Sequence, residues 1–225
     1  MRDLMRSIST RIPDELRVEG RYAIIGVGGI GTWVAIALAL SCTPRSCTIT
    51  LIDSDVVGVE NMNRLPIPFT FALDRVYKVD AVAWYIQQVR PDVKVFGIPT
   101  KINTLDDLVS LRTMQSVNMV IETTDSPMIE KIVKRFAYGM RLPLISAKYD
   151  GLRGSIEYIS EVITSQPDTW DLEIRTGYSV FPSTPIVPMF IASLVVAIIA
   201  SSDLYKYLYI DIDLKNLRME VRKVE

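Results

Sequence analysis

The sequence contains no histidine among its 225 residues. That absence excludes Ser-His and Cys-His dyads, histidine-ligated zinc and an imidazole general base, so any chemistry here runs without imidazole. Cysteine is nearly absent as well. Cys42 and Cys47 are the only two, too few for a four-thiolate zinc site or a disulfide framework, which fits a reducing compartment. A single Cys42–Cys47 bridge would be unusual there, and the pair reads as structural filler rather than nucleophile. No sign of charge dominates: 25 basic against 26 acidic residues give a net charge of −1, which is no electrostatic footprint for nucleic acid. Mean hydropathy is +0.24, yet the longest apolar run, 186–200, contains Pro188 and Ser193 and falls short of the roughly 20 residues that span a bilayer. The first residues, Met1-Arg2-Asp3-Leu4-Met5-Arg6, carry charges where a secretory signal would carry an apolar core. The expectation is a cytoplasmic protein with neither a membrane nor a nucleic-acid partner.

What is present is an alternation of short apolar runs and helical patterns from residue 20 onward, the rhythm of strand-helix-strand units. Strands are expected over 21–25, 47–53, 93–98, 118–121 and 143–147, with a turn at 43–46. Helices are expected over 32–40, along the face marked by Val79, Val82, Ile86 and Val89 and ended by Pro91, and over 105–114 and 128–140. After Asp150-Gly151 the stretch 155–162 alternates, as an antiparallel strand with one exposed face does. Residues 163–185, with Pro167, Pro182 and Pro185, read as a long irregular crossing. An apolar helix over 188–202 and a hairpin of 207–214 with 217–224 around Lys215-Asn216 close the chain. The reading is one α/β domain over 1–225: a leader over 1–19, a nucleotide-binding part over 20–150, and the crossing, apolar helix and hairpin over 151–225. The fold class is Rossmann-like, a mostly parallel sheet with helices on both faces and C-terminal antiparallel strands.

The first strand runs into Gly26-Val27-Gly28-Gly29-Ile30-Gly31 and then into a helix, the context that makes a Gly-x-Gly-x-x-Gly informative. Gly26 permits the turn, Gly28 lets backbone amides reach a phosphate at the positive helix terminus, and Gly31 lets the helix lie close to the sheet. Asp53 follows Gly31 by 22 residues, near the spacing at which a carboxylate takes ribose hydroxyls. Together they indicate an adenine nucleotide, NAD or ATP. In Val59-Glu60-Asn61-Met62-Asn63-Arg64 an arginine and amides lie just past the ribose acid, suited to a polyphosphate tail and of little use to hydride transfer. Lys78 is a second cation. Asp125, in Glu122-Thr123-Thr124-Asp125-Ser126, lies at the carboxyl edge of the sheet, where an acid can hold magnesium against phosphates. Each has a bland alternative: Arg64 and Lys78 as solvated charges, Asp125 as a helix N-cap.

As a set, Gly-x-Gly-Gly-x-Gly, Leu-Ile-Asp-x-Asp-x-Val, Asn-x-x-Arg, Lys and Thr-Thr-Asp, the sequence resembles the ThiF/MoeB-like superfamily of ubiquitin-activating enzymes, strongly over 20–150 and more weakly beyond. The resemblance implies Mg-ATP-dependent adenylation of the C-terminal carboxylate of a small ubiquitin-like or sulfur-carrier protein or peptide, with release of pyrophosphate. It implies that the glycine loop, Gly29 included, and Asp53 with Asp55 hold the nucleotide, that Asn61 and Arg64 take the phosphates and Lys78 the α-phosphate, and that Asp125 holds Mg2+. Arg64, Lys78 and Asp125 are the expected catalytic residues.

The sequence also departs from that family. No cysteine stands in Arg175-Thr176-Gly177-Tyr178-Ser179-Val180-Phe181-Pro182, and there are no Cys-x-x-Cys pairs, so a covalent thioester on this chain is not expected. Leu65 stands where Gln is common, and Ser126 where Asn is common. Family dimers lend an N-terminal arginine to the neighbouring site, and Arg6 and Arg11 are the candidates here. A homodimer is expected, with the apolar helix covered on all sides. The alternatives are a non-catalytic scaffold subunit of a heterodimeric activating enzyme and, less well matched, an NAD-dependent oxidoreductase.

Overall fold

The computed structural model describes residues 13–160 and 184–224. Strands β1 (Val18–Ile25), β2 (Cys42–Ile52), β3 (Lys94–Ile98), β4 (Met119–Glu122), β5 (Leu144–Asp150), β6 (Arg153–Ile159), β7 (Tyr207–Asp213) and β8 (Arg218–Val224) form one sheet in the order β3-β2-β1-β4-β5-β6-β7-β8. The first five are parallel, and β6, β7 and β8 extend the sheet antiparallel.

Alternation along the strands assigns the two faces. Tyr22 and Ile24 of β1, Ile49 and Leu51 of β2, Met119 and Ile121 of β4, and Ile210 and Ile212 of β7 point to one core. That core is covered by α1 (Gly29–Ser41), α3 (Lys78–Val89) and α6 (Ile186–Ala200). Ala23, Ile25, Val120 and Leu144 point to the other face, under α4 (Leu105–Val109) and α5 (Pro127–Met140). Strands buried on both sides explain the continuous apolar runs of the parallel half. A four-residue helix, α2 (Thr70–Leu73), belongs to a satellite cluster with Val57, Leu65 and Ile67.

Three details differ from the sequence expectations. β2 begins at Cys42, where a turn was expected, because Cys42 pairs with Val18 before the register shifts and Gly20 pairs with Cys47. The intervening residues bulge, with Arg45 at φ 66°, and a Cys42–Cys47 disulfide closes the bulge. The stretch expected as one helix over 105–114 divides into α4 and a 3-10 turn, Arg112–Ser116, at the extended Leu111. In the single chain α6 keeps one stripe open. Ile186, Met189 and Phe190 remain exposed, forming with Ser193 and Leu214 a shallow apolar groove.

The C-terminus of α1 shows how the elements are fastened. Arg90, 2% exposed, donates to the carbonyls of Ala39 (2.7 Å), Leu40 (3.1 Å) and Cys42 (2.9 Å) and forks onto Asp92 (2.9 and 2.7 Å). It thereby satisfies carbonyls that a helix end leaves unpaired. The Arg90 guanidinium holds the Asp92 carboxyl below the usual carboxylate range. The stability this pair contributes is therefore complete above the unfolded carboxyl pKa of about 3.9 and is lost only as pH falls through the lower folded value. The disulfide beside it closes a short loop, so replacing both Cys42 and Cys47 with alanine is expected to cost about 2 kcal/mol in chemical denaturation.

Candidate active site

Strand order reverses between β1 and β4, and in such sheets ligands bind outside the carboxyl ends of the strands at that point. The glycine loop leaves β1 there. The Gly26 N–H donates to the Ile52 carbonyl at 2.9 Å, and Gly26 has φ +90°. A Cβ on it would lie 2.8 Å from Thr124 Cγ2 and 2.9 Å from the Thr124 nitrogen. A Cβ on Gly31 would overlap the Gly26 carbonyl oxygen, so the helix can lie this close only without a side chain. At Gly28, by contrast, a Cβ would meet nothing within 4 Å among the described residues. The first backbone bond of α1 runs from the Thr32 N–H to the Gly28 carbonyl, so the N–H groups ahead of it have no partner within the helix. A helix N-terminus behind such a glycine loop is a cradle suited to a phosphate.

Asp53 borders the cradle. Its Oδ2 accepts the Val27 N–H at 2.7 Å and its Oδ1 accepts the Asp55 N–H at 2.7 Å. Burial pushes its carboxyl up, opposed by these two amides and by Lys78. Lys78 opens α3, and its Nζ meets Asp55 Oδ2 at 2.7 Å while its own N–H donates to the Asp55 carbonyl. It is thus an ion-paired, largely covered cation rather than a solvated charge, with a side chain 12% exposed. Asn61 is buried and its Oδ1 accepts the Gly58 N–H at 3.0 Å, an interaction that builds the turn carrying Arg64. Arg64 is half-buried. Its Nη1 donates to the Glu60 carbonyl (2.9 Å) and Asn63 Oδ1 (3.0 Å), and its carbonyl accepts the Trp33 indole N–H at 2.9 Å. The Arg64 Cδ comes within 3.5 Å of where a Gly29 Cβ would stand, which puts this arginine at the cradle's rim.

The end of β4 forms the opposite wall. The Thr123 hydroxyl donates to the Gly26 carbonyl at 2.6 Å. Asp125 is exposed, and the capping role belongs to its neighbour, since Ser126 Oγ accepts the Ile129 N–H and Pro127 opens α5. Asp125 is therefore free for a ligand at this edge. Among the described residues no three His, Cys, Asp or Glu gather as a metal cluster. A magnesium ion, which commonly takes one or two protein carboxylates plus phosphate oxygens and waters, is compatible with Asp125 alone.

Two groups here escape sequence reasoning. Tyr149, on β5, places its hydroxyl 2.9 Å from the would-be Gly29 Cβ, with Pro188 of α6 3.5 Å from the same point. The other is a network beneath the site. Lys148 Nζ meets Glu122 Oε2 at 2.9 Å and Glu130 Oε2 at 3.3 Å. Lys134 Nζ meets Glu130 Oε1 at 3.0 Å and Glu157 Oε2 at 2.9 Å. Burial pushes the Glu122 carboxyl up, against the pull of Lys148. Burial also opposes the charged forms of Glu130 and Lys134, but their partners win, holding Glu130 low and Lys134 high. Glu122 closing the apolar Met119–Glu122 and Lys148 within Leu144–Asp150 were the only signal available in the sequence. Arg6, Arg11 and the segment 175–182 lie outside the described residues.

The ThiF family model matches residues 3–211. The chain is 24% identical over 166 residues to the molybdopterin-synthase adenylyltransferase of Haemophilus influenzae, covering 74% of this chain and 63% of that enzyme. It is 23% identical over 140 residues to the adenylyltransferase and sulfurtransferase UBA4 of Saccharomyces cerevisiae, covering 62% of this chain but 30% of that protein. It thus spans less than two thirds of the length of these relatives. Among solved structures, Escherichia coli MccB with ATP superposes with a TM-score of 0.72 at 19% identity, covering 98% of this chain and 66% of MccB. MccB with MccA gives 0.71 at 19% identity over the same shares.

Proposed function

This chain belongs to the ThiF family, and from that premise we propose that it adenylates a carboxylate with ATP, releasing pyrophosphate. The observation that carries the reading is the convergence at the switch point of the sheet of the glycine loop and α1 terminus, Asp53 on the Val27 N–H, and Arg64 beside Gly29. In this reading Asp53 and Asp55 border the ribose, the loop amides and Arg64 take the phosphates, Lys78 neutralises the α-phosphate, and Asn61 acts by holding the Arg64 turn. Asp125 would hold Mg2+, which supplies charge neutralisation on the phosphate oxygens.

The acceptor carboxylate attacks the α-phosphorus. A bond forms between the acyl oxygen and phosphorus, and the bond to the bridging oxygen of pyrophosphate breaks. A free C-terminal carboxyl titrates at about pH 3.3 to 3.7, so it is already ionised and no base is required, consistent with a chain devoid of histidine. The work left for the protein is orientation and stabilisation of developing negative charge, for which Arg64, Lys78 and the loop amides are suited. The acceptor is proposed as the free C-terminus of a small ubiquitin-like or sulfur-carrier protein or a peptide. The relatives named for molybdopterin synthase and the MccB complex with MccA support that class. Cys42 and Cys47 are buried at the start of β2, the end of the sheet opposite the cradle, so, bridged or reduced, neither meets the adenylate, which passes to a nucleophile that is not a thiol of this chain. The cytoplasm, where ATP is abundant, is the proposed compartment.

A homodimer is proposed through the exposed stripe of α6. Light scattering should give twice the chain mass, and Phe190→Asp should give the monomer; a monomeric unsubstituted protein would contradict this. The nucleotide assignment is tested by thermal shift, since a ligand of the native state raises the midpoint. ATP should stabilise and NAD should not. ATP binding without pyrophosphate exchange for any acceptor would instead support a scaffold subunit.

A further inference from the structure

Thr124 has all of its polar groups engaged by Glu122 and Lys148. Its N–H donates to Glu122 Oε1 at 2.8 Å, its hydroxyl donates to the same oxygen at 2.5 Å, and its carbonyl accepts Lys148 Nζ at 2.6 Å. Lys148 also donates to both oxygens of Glu122, which is fully buried, and lies at ion-pair distance from Glu130. Thr124 in turn abuts Gly26, through the Cγ2 and nitrogen that a Gly26 Cβ would strike. The next residue is Asp125, and after it Ser126 and Pro127 are fixed as the cap and first turn of α5. Asp125 is therefore held between two clamped points, one of them made by Lys148.

We propose that Lys148, acting through Glu122 and the Thr124 carbonyl, is a positioning residue for the nucleotide site, setting the turn that presents Asp125 to the metal-bound phosphates of ATP. The proposal rests on the ATP reading above. A purely structural ion pair makes a different demand: removing both charges together would relieve the cost of an unpaired buried carboxylate and should restore whatever the single substitution lost. A positioning role leaves a defect after stability recovers, because the Thr124 carbonyl still lacks its donor.

The test measures the half-saturating Mg2+ for stabilisation by ATP in thermal shift, alongside KM and kcat for pyrophosphate exchange. Lys148→Met is expected to raise the Mg2+ requirement about tenfold, the scale of losses when a group behind a metal ligand is removed. Lys148→Arg, which keeps a donor, should stay near the unsubstituted value. Glu122→Gln with Lys148→Met should regain the melting temperature yet keep the raised Mg2+ requirement. In an Asp125→Ala background Lys148→Met should add nothing further. An unchanged Mg2+ requirement in Lys148→Met, or its full recovery in the double variant, overturns the proposal. Absence of any ATP stabilisation in the unsubstituted protein overturns the nucleotide reading, and this proposal with it.

Discussion

Arg64→Ala is expected to lower ATP–pyrophosphate exchange by about 10³-fold, the scale on which cations and preorganised donors act at a transferring phosphoryl group. The side chain stands at the rim of the cradle, and its guanidinium rests on the Glu60 carbonyl and the Asn63 side chain of its own turn. Those are replaceable contacts on a half-buried side chain. The backbone that fixes the turn, by contrast, is held by the Trp33 indole on the Arg64 carbonyl and by the Asn61 carbonyl on the Arg64 N–H. Alanine keeps both of these, so the unfolding midpoint should move little while exchange collapses. Arg64→Lys should recover only part of the rate, because an ammonium retains the charge but loses the fork that matches two phosphate oxygens. Exchange at the unsubstituted level in Arg64→Ala would remove this residue from the reaction.

The second large effect is expected at the glycines, which divide into two kinds. Gly31→Ala places a methyl group into the Gly26 carbonyl oxygen and within 2.7 Å of Thr123 Oγ1. Neither neighbour can yield cheaply. One is backbone, and the other is pinned by its own 2.6 Å hydrogen bond to that same carbonyl. The helix must move off the sheet, at a cost of about 3 kcal/mol, and the amides it presents to the cradle move with it. Gly28→Ala is the counterpart. Its methyl group meets no atom of the described residues within 4 Å, so denaturation should be unchanged, yet it occupies the space assigned to phosphate and should abolish stabilisation by ATP. Equal damage to stability from the two substitutions would mean that the space over Gly28 is not a ligand site.

The parts of this architecture that were legible in the sequence are those set by neighbours along the chain. The apolar run of β1, the glycines that follow it and the acid after β2 all lie within one strand-helix-strand unit, so spacing alone placed them at one edge. Asp125 was ambiguous because a carboxylate ahead of a helix serves equally as a cap, and only the Ser126 hydroxyl on the Ile129 N–H shows that the cap is its neighbour. The start of β2 was misplaced because the pairing of Cys42 with Val18 is a long-range contact, and the bulge that follows it looks locally like a turn. The Lys148 network was invisible for the same reason. Glu122 and Lys148 come from neighbouring strands, Glu130 and Lys134 from a helix laid across them, and Glu157 from an antiparallel strand whose register no local pattern fixes.

An almost uniformly apolar helix should be covered, yet Ile186, Met189 and Phe190 remain open in the single chain. Pro188 on the same helix stands 3.5 Å from where a Gly29 Cβ would lie, so α6 carries both the stripe and a residue at the cradle.

The most direct test of the central claim is transfer of label from ATP. The protein is incubated with Mg2+ and ATP labelled at the α-phosphate or at the γ-phosphate, together with peptides and small carrier proteins bearing free or amidated C-termini. The account predicts that label from the α-phosphate alone reaches acceptors with a free carboxylate, that pyrophosphate appears alongside, and that amidation abolishes both. Transfer of the γ-phosphate, or α-label reaching amidated acceptors equally well, would contradict it.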